Sequence, residues 1–215
     1  PPPRSSRFPF STLFRSLADD FTDAAAEKSM KLVFEYLPEA YKAAGKNIEE
    51  LTKEDLYARQ KMHHASCLAG MAFSNAGLGI NHSMAHTLGG HFHIPHGRAN
   101  AVLLPYVMAY NCGCRTSLTP AAERYAKMST VLSLDSGSSR QSAYGAIRAT
   151  QQLIRKLNIP SCIKNLGIPE NEFVAALDEM VDAAMADSCT ATNPRVPTRE
   201  ELKELFMEAY RGREI

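Results

Sequence analysis

All seven histidines of this 215-residue chain lie between residues 63 and 96. His82 and His86 are four residues apart, so a helix would carry both rings on one face. His96 follows after a pair of glycines and a short loop, which can return it over the same face. Because a neutral imidazole binds transition metals and exchanges protons near neutral pH, the spacing predicts a metal or acid–base site built from two chain segments.

The other four histidines fit structural roles better. His63 and His64 are adjacent on a predicted helix and point to different faces, while His91 and His93 alternate along a loop predicted over residues 91–96. A structural interpretation of the trio also stays open, in which each imidazole is a satisfied polar group in a crowded interior.

Carboxylates are scarce around the trio. A metal ion with only two or three imidazole ligands usually gains a carboxylate, which offsets its charge. The sequence holds no Asp/Glu-x3-His pair, and we expect no carboxylate near the trio. It also holds no HExxH motif, so a zinc hydrolase, which needs a carboxylate base, has little support.

The segments that must position these residues are predicted to be helical throughout. Apolar residues recur at steps of three and four, and runs with period-2 alternation are absent, which predicts an all-α fold. We expect Pro38 to end the first helix, Gly89-Gly90 to end the third, and Pro105 to kink the fourth or to force a wide turn. The predicted helices cover residues 22–37, 52–75, 80–88, 98–110, 120–134, 140–157, 170–185 and 198–210.

Bulk composition narrows the class of protein. The 24 basic and 23 acidic residues are spread along the chain, so we expect no nucleic-acid partner. No apolar run approaches the length of about 18 residues that a membrane span needs, and the N-terminus lacks the apolar stretch of a secretory signal. Five cysteines, of which only Cys112 and Cys114 are close in sequence, are typical of reduced thiols in a cytoplasmic protein.

Two long stretches around the trio, residues 72–90 and 95–111, carry a motif that extends well beyond the histidines. Together they resemble the signature of the iron-containing (group III) alcohol dehydrogenases. Further segments also resemble that family, namely residues 21–23, 34–38, 189–195 and 208–213. The resemblance includes the alcohol dehydrogenase half of the bifunctional aldehyde–alcohol dehydrogenases. The resemblance extends from about residue 17 to residue 215.

The resemblance implies a domain organisation. Members of that family have an N-terminal α/β domain that binds NAD(P) and an all-helical C-terminal domain, of the dehydroquinate synthase-like type, that holds a divalent metal. Residues 17–215 resemble only the helical metal-binding and substrate domain, and residues 1–16 are expected to be a divergent or disordered segment. NAD or NADP would then be bound mainly by a domain absent from this chain.

The resemblance also implies roles for single residues. His82 and His96 correspond to two metal ligands, with Fe(2+) as the expected ion and zinc as the second candidate. His86 corresponds to the histidine near the nicotinamide and the substrate, so it is the expected catalytic and cofactor-binding residue. Phe73 and Cys189 fall where relatives have substrate-pocket residues, although plain core packing explains them equally well.

One departure from the family bears on activity. The other two metal ligands of the family come from an Asp-x-x-x-His pair, and counting back places those positions at about Arg4 and Phe8. Neither side chain can bind a cation, because arginine stays protonated and phenylalanine has no lone pair.

The function expected from this resemblance is a metal-dependent, NAD(P)-linked oxidoreductase that interconverts small alcohols with aldehydes or ketones. We expect the chain to be incomplete for catalysis alone. Its expected partners are a second copy of itself or a nucleotide-binding domain. The alternative is a non-catalytic helical remnant that serves in binding or assembly.

Overall fold

The computed structural model describes residues 17–114, 116–134 and 137–212, and those residues are helical without strands. The all-α prediction is therefore confirmed. Across these ranges the α-helices are α1 (Asp20–Ala44), α2 (Lys53–Ala76), α3 (Ile80–Phe92), α4 (His96–Cys112), α5 (Ala121–Val131), α6 (Ser139–Lys156), α7 (Glu170–Ala186) and α8 (Arg199–Arg211). Short 3-10 segments lie at Ile48–Glu50, Lys164–Leu166 and Ser188–Thr192. None of the described helices is long and apolar enough to cross a lipid bilayer.

The main core lies between α3, α4, α7 and α8. Its centre is aromatic: the ring of Phe173 stacks on that of Tyr210, with their centroids 4.4 Å apart. From α3 the residues Ile80, Met84 and Leu88 are completely buried in this core. Their spacing of four leaves the face that carries positions 82 and 86 on the other side of the helix.

The first helix is longer than predicted. α1 continues through Pro38 to Ala44, so the prediction that this proline ends the helix is wrong. An interior proline costs a helix about 3 kcal/mol, because it removes a hydrogen bond and crowds the preceding turn. Packing along α2 offsets this cost, since Ala43 beyond the proline is fully buried and Ser29 donates to the carbonyl of Ala65 at 2.7 Å.

The loop between α3 and α4 is shorter than predicted. α3 runs past both glycines to Phe92, where a left-handed His93 with φ 54° ends it, and α4 begins at His96. A glycine inside a helix costs about 1 kcal/mol, and packing of the Phe92 ring against Phe173, with centroids 6.2 Å apart, offsets part of that cost. α4 then continues through Pro105, which is buried, instead of breaking there.

Two predicted helix starts are confirmed. Thr52 and Asp55 form a reciprocal capping box at the start of α2, and Thr198 and Glu201 do the same for α8. Each box satisfies two backbone N–H groups that the first turn of a helix leaves without partners.

A turn of two glycines leads into α3. Gly77 and Gly79 have φ values of 85° and 75°, a conformation that L side chains rarely adopt. A Cβ atom on Gly77 would lie 2.5 Å from the Thr192 hydroxyl, and one on Gly79 would lie 2.7 Å from the side-chain oxygen of Asn193. Glycine is therefore required here because the C-terminal part of the chain approaches this turn closely.

The approaching part is residues 187–193, which we call the clasp segment. In it, Asn193 accepts a hydrogen bond from the N–H of Ile80 at 3.2 Å, and Thr192 accepts one from the N–H of Gly79 at 3.3 Å. Asn193 also pairs with the buried amide of Asn111 on α4, donating at 2.7 Å. One asparagine side chain thus joins the start of α3 to the end of α4.

We expect Asn193→Ala to lower the free energy of unfolding by about 2–4 kcal/mol, because it removes the hydrogen-bond partner of the Asn111 side-chain oxygen and of the Ile80 N–H, both of which are buried. Chemical denaturation would measure the loss. Asn75→Ala is the matched control, since Asn75 is exposed and bonds only its own helix. Equal losses in the two variants would contradict the joining role of Asn193.

Candidate metal centre

The structure brings His82, His86 and His96 together at one end of the α3–α4 pair. The ring centroids are 5.3 Å apart for His82 and His96, 5.4 Å for His86 and His96, and 6.2 Å for His82 and His86. The convergence follows from the fold, because three loop residues return the chain so that α4 begins beside the histidine face of α3. Three imidazoles are therefore available around one point.

His82 is the innermost of the three. It is half-buried, and its Nδ1 atom is buried without a hydrogen-bond partner among the described residues. Burial lowers the pKa of His82 below its ordinary value, and the neighbouring His96 and His86 lower it further, while Asp187 opposes them. The ring is thereby kept in the neutral form that donates a lone pair to a metal.

Two asparagines orient His96 against α3. The Asn100 amide nitrogen lies 3.2 Å from the Nε2 atom of His96 and donates to the His96 carbonyl at 3.0 Å. Asn81, on α3, donates in turn to the side-chain oxygen of Asn100 at 2.8 Å. This chain of contacts holds the first turn of α4 in register with the histidine face of α3.

A carboxylate lies beside the trio, so the prediction that none would be found there is wrong. The Nδ1 atom of His86 is 2.7 Å from an oxygen of Asp187, whose other oxygen accepts from the N–H of Cys189 at 2.8 Å. Burial alone would raise the pKa of Asp187, but these hydrogen bonds outweigh it and hold the pKa below its usual value. The carboxylate is thus ionised and aimed at His86.

Spacing in the sequence could not reveal this contact, because His86 and Asp187 are 101 residues apart. The available signal was the segment that begins at Cys189, two residues further on, which already resembled a family motif.

Asp187 does not strengthen the zinc-hydrolase alternative. Its carboxylate is occupied by His86 and Cys189, so it does not supply the free base that such a reaction needs.

The two predicted pocket residues lie in different places. The ligand atom of Cys189 is within 4.8 Å of those of His86 and Asp187, so this thiol borders the histidine site. Phe73 is 44% exposed at the end of α2 and lines a separate, mostly apolar cavity of about 500 Å³. Asn81 also lines that cavity and connects it to the trio through Asn100.

The remaining histidines lie apart from the trio or face solvent. His63 and His64 are exposed on α2, and His93 is exposed in the α3–α4 loop. His91 lies in the last turn of α3, not in a loop as predicted, and is partly buried beside Phe92.

Residues 10–210 match the family model of the Fe-containing alcohol dehydrogenase family, C-terminal. The chain belongs to this family. It is 41% identical over 200 residues to the NADPH-dependent butanol dehydrogenase of Clostridium saccharobutylicum, an alignment that covers 93% of this chain and 47% of the relative. It is 45% identical over 196 residues to the 1-propanol dehydrogenase of Salmonella typhimurium, covering 89% of this chain and 49% of the relative.

Solved structures of the family agree with the fold. A 1,3-propanediol oxidoreductase superposes with a TM-score of 0.77 at 35% identity, covering 91% of this chain and 47% of that one. An iron-containing alcohol dehydrogenase from Thermococcus thioreducens superposes with a TM-score of 0.75 at 35% identity, covering 92% of this chain and 46% of that one. The chain therefore spans about half the length of these family members. The expected departures at Arg4 and Phe8 lie outside the described residues.

We expect the pKa of His82 in the metal-free chain, followed by NMR titration of its ring protons, to lie below the ordinary value of 6.5. His96→Gln removes a neighbouring positive charge and should raise this pKa, whereas Asp187→Asn removes the opposing carboxylate charge and should lower it further. Asp182→Asn serves as the control, because Asp182 pairs with Arg199 on the surface. A wild-type His82 that titrates at or above the ordinary value would contradict this account.

Proposed function

We propose that this chain supplies the metal-binding and substrate-facing half of a metal-dependent, NAD(P)-linked alcohol dehydrogenase. The observation that carries the proposal is the convergence of three imidazoles, one of which, His82, has a buried ring nitrogen that no other described residue hydrogen-bonds. A metal ion would satisfy that nitrogen. In this proposal His82 and His96 hold the ion, with Fe(2+) as the expected metal and zinc as the second candidate.

When bound, the metal supplies a Lewis acid for the alcohol oxygen and the nicotinamide accepts the hydride. The protein's own contribution is proton transfer by His86. Its Nδ1 atom faces Asp187, which leaves Nε2 as the nitrogen that accepts the hydroxyl proton of the substrate. Since the His86 side chain is 43% exposed, the proton can pass on to solvent.

Asp187 acts in this scheme as a positioning residue. Its carboxylate fixes which nitrogen of His86 carries hydrogen, and it stabilises the imidazolium that forms when the ring accepts a proton. The N–H of Cys189 holds the second carboxylate oxygen at 2.8 Å, so the carboxylate cannot rotate freely away from His86.

The site is open on the side that faces away from the core. His86 and His96 are both exposed, and two imidazoles are too few ligands for a catalytic metal, which commonly has three from the protein. In this proposal the remaining ligands and the nucleotide-binding domain come from outside the described part of this chain, in the same polypeptide or in a partner, which includes a second copy of this chain. Short alcohols and aldehydes are the proposed substrates, because the relatives are named for butanol and 1-propanol.

The alternative function is a helical binding or assembly domain without catalysis. The observation in its favour is the set of large apolar side chains exposed along the α1–α2 pair. Phe21 and Ile48 are 86% and 88% exposed, and Leu56 and Met71 are more than half exposed. Metal binding separates the two functions, since an assembly domain has no need of the trio.

Titration of the isolated chain with Fe(2+) under anaerobic conditions would test the ligands. We expect weak binding that His82→Ala or His96→Ala reduces by at least about 10-fold, because even residues that only orient a ligand contribute 10–100-fold. His63→Ala, on the exposed face of α2, should bind like the wild type. Tight stoichiometric iron together with alcohol-dependent NADH or NADPH formation by the isolated chain would contradict the incomplete site.

Joining the chain to the N-terminal half of the Salmonella 1-propanol dehydrogenase would test the catalytic roles. We expect His86→Ala to lower kcat by about 10²–10⁴, the usual contribution of a general base, with metal content and KM little changed. Asp187→Asn should lower kcat less and alter the pH profile, because the ring remains but its orientation is lost. His91→Ala is the control, and loss of metal in parallel with activity in His86→Ala would make that residue a ligand instead.

The coding sequence upstream of residue 1 offers an independent check. An in-frame glycine-rich α/β domain that ends in Asp-x-x-x-His would provide both the nucleotide site and the missing ligands. An unrelated upstream sequence would favour the assembly domain.

A further inference from the structure

Three different donor groups meet at the solvent-facing side of the trio. They are the imidazole of His86, the carboxylate of Asp187 and the thiol of Cys189, and one ligand atom from each lies within 4.8 Å of the other two. The closest pair, His86 Nδ1 and an oxygen of Asp187, is 2.7 Å apart. This cluster uses the side of His86 that faces away from the proton-accepting nitrogen described above.

The nitrogen, oxygen and sulfur ligands of this cluster indicate which metal ions it would bind. Nitrogen, oxygen and sulfur in one site are the ligand types of zinc, which often takes three protein ligands and leaves a fourth position open. Magnesium and calcium prefer oxygen alone, so they suit this cluster poorly. We propose that His86, Asp187 and Cys189 form a second metal site that binds a thiophilic divalent cation such as Zn²⁺ or Cd²⁺, separate from the ion held by His82 and His96.

The distances suit such an ion. Zinc lies about 2.0–2.3 Å from its ligands, which places tetrahedral donor atoms about 3.3–3.8 Å apart. The His86–Asp187 pair, at 2.7 Å, is closer than those values, and the two pairs that include Cys189 are no more than 4.8 Å apart. Movements of about 1 Å by side chains that are partly exposed therefore complete the coordination.

The backbone beneath the cluster is well held. Cys189 and Asp187 belong to the clasp segment, in which Thr190 lies 2.8 Å from the Ser83 hydroxyl on α3 and donates to the carbonyl of Ala184 on α7 at 2.6 Å. The ligands from the clasp segment are thus anchored to the same helix that carries His86. The entrance stays open, because the side chains of His86 and Asp187 are 43% and 20% exposed.

Binding of the ion has a defined proton balance. The thiol proton of Cys189 leaves to solvent, the His86 proton moves from Nδ1 to Nε2 so that the ring stays neutral, and Nδ1, the carboxylate and the thiolate form three metal–ligand bonds. The ion would take both His86 and Asp187 away from proton transfer, so zinc would inhibit the enzyme. This inhibition rests on the proposed function, whereas the binding of the ion does not.

Titration of the purified chain with Cd²⁺ tests the site, read from the ultraviolet charge-transfer band of a cadmium–thiolate bond. We expect one equivalent to produce the band, Cys189→Ser to abolish it, and Asp187→Asn to weaken binding by about 10-fold or more. Cys67→Ser is the matched control, because Cys67 is exposed on α2 and should leave the band unchanged. Circular dichroism would verify that each variant keeps its helices.

A second pair of variants separates this site from the one proposed for catalysis. The double variant His82→Ala/His96→Ala should keep the cadmium band while losing Fe(2+) binding. A band that disappears in the double variant, or one that persists in Cys189→Ser, overturns the second site. Failure of Fe(2+) binding in the wild type would count against the proposed function and leave the cadmium result standing.

Discussion

The site depends on how the clasp segment meets the start of α3. Asn193 accepts the hydrogen bond of the Ile80 N–H, and the glycine turn before that residue has room for no side chain other than hydrogen. Asn193 also donates a hydrogen bond to Asn111 on α4. The first turn of α3 thereby acquires a fixed position relative to α4. The distances from His96 to His82 and to His86 follow from the placement of those two helices.

The same contact explains why the histidine face is polar and the opposite face is not. With its start fixed, α3 buries Ile80, Met84 and Leu88 in the core, and the helical period places positions 82 and 86 on the side away from that row. His82 lies at the boundary, half-buried, whereas His86 lies further along and is exposed. A gradient of burial along one helix thus gives two imidazoles of the same chemical type different roles in the proposed site.

Periodicity and residue spacing were sufficient to predict the all-α fold and the meeting of the trio, because both depend on local rules. Helix ends were predicted less well where packing overrides propensity. Pro38 and the glycines at 89 and 90 lie inside helices because buried residues beyond them, such as Ala43, contribute more than the local cost. Asp187 could not be predicted from spacing, since only the folded chain brings it to His86.

The clasp segment also sets the order in which the protein can assemble. The chain is synthesised from its N-terminus, and Asn193 follows its partner Ile80 by 113 residues. His86 is therefore made long before Asp187, the group that orients it. During translation His86 belongs to a helix whose start is still unanchored, and its contact with Asp187 appears only once α7 has emerged and packed. The complete arrangement around His86 is in this sense one of the last features of the fold to form, not one of the first.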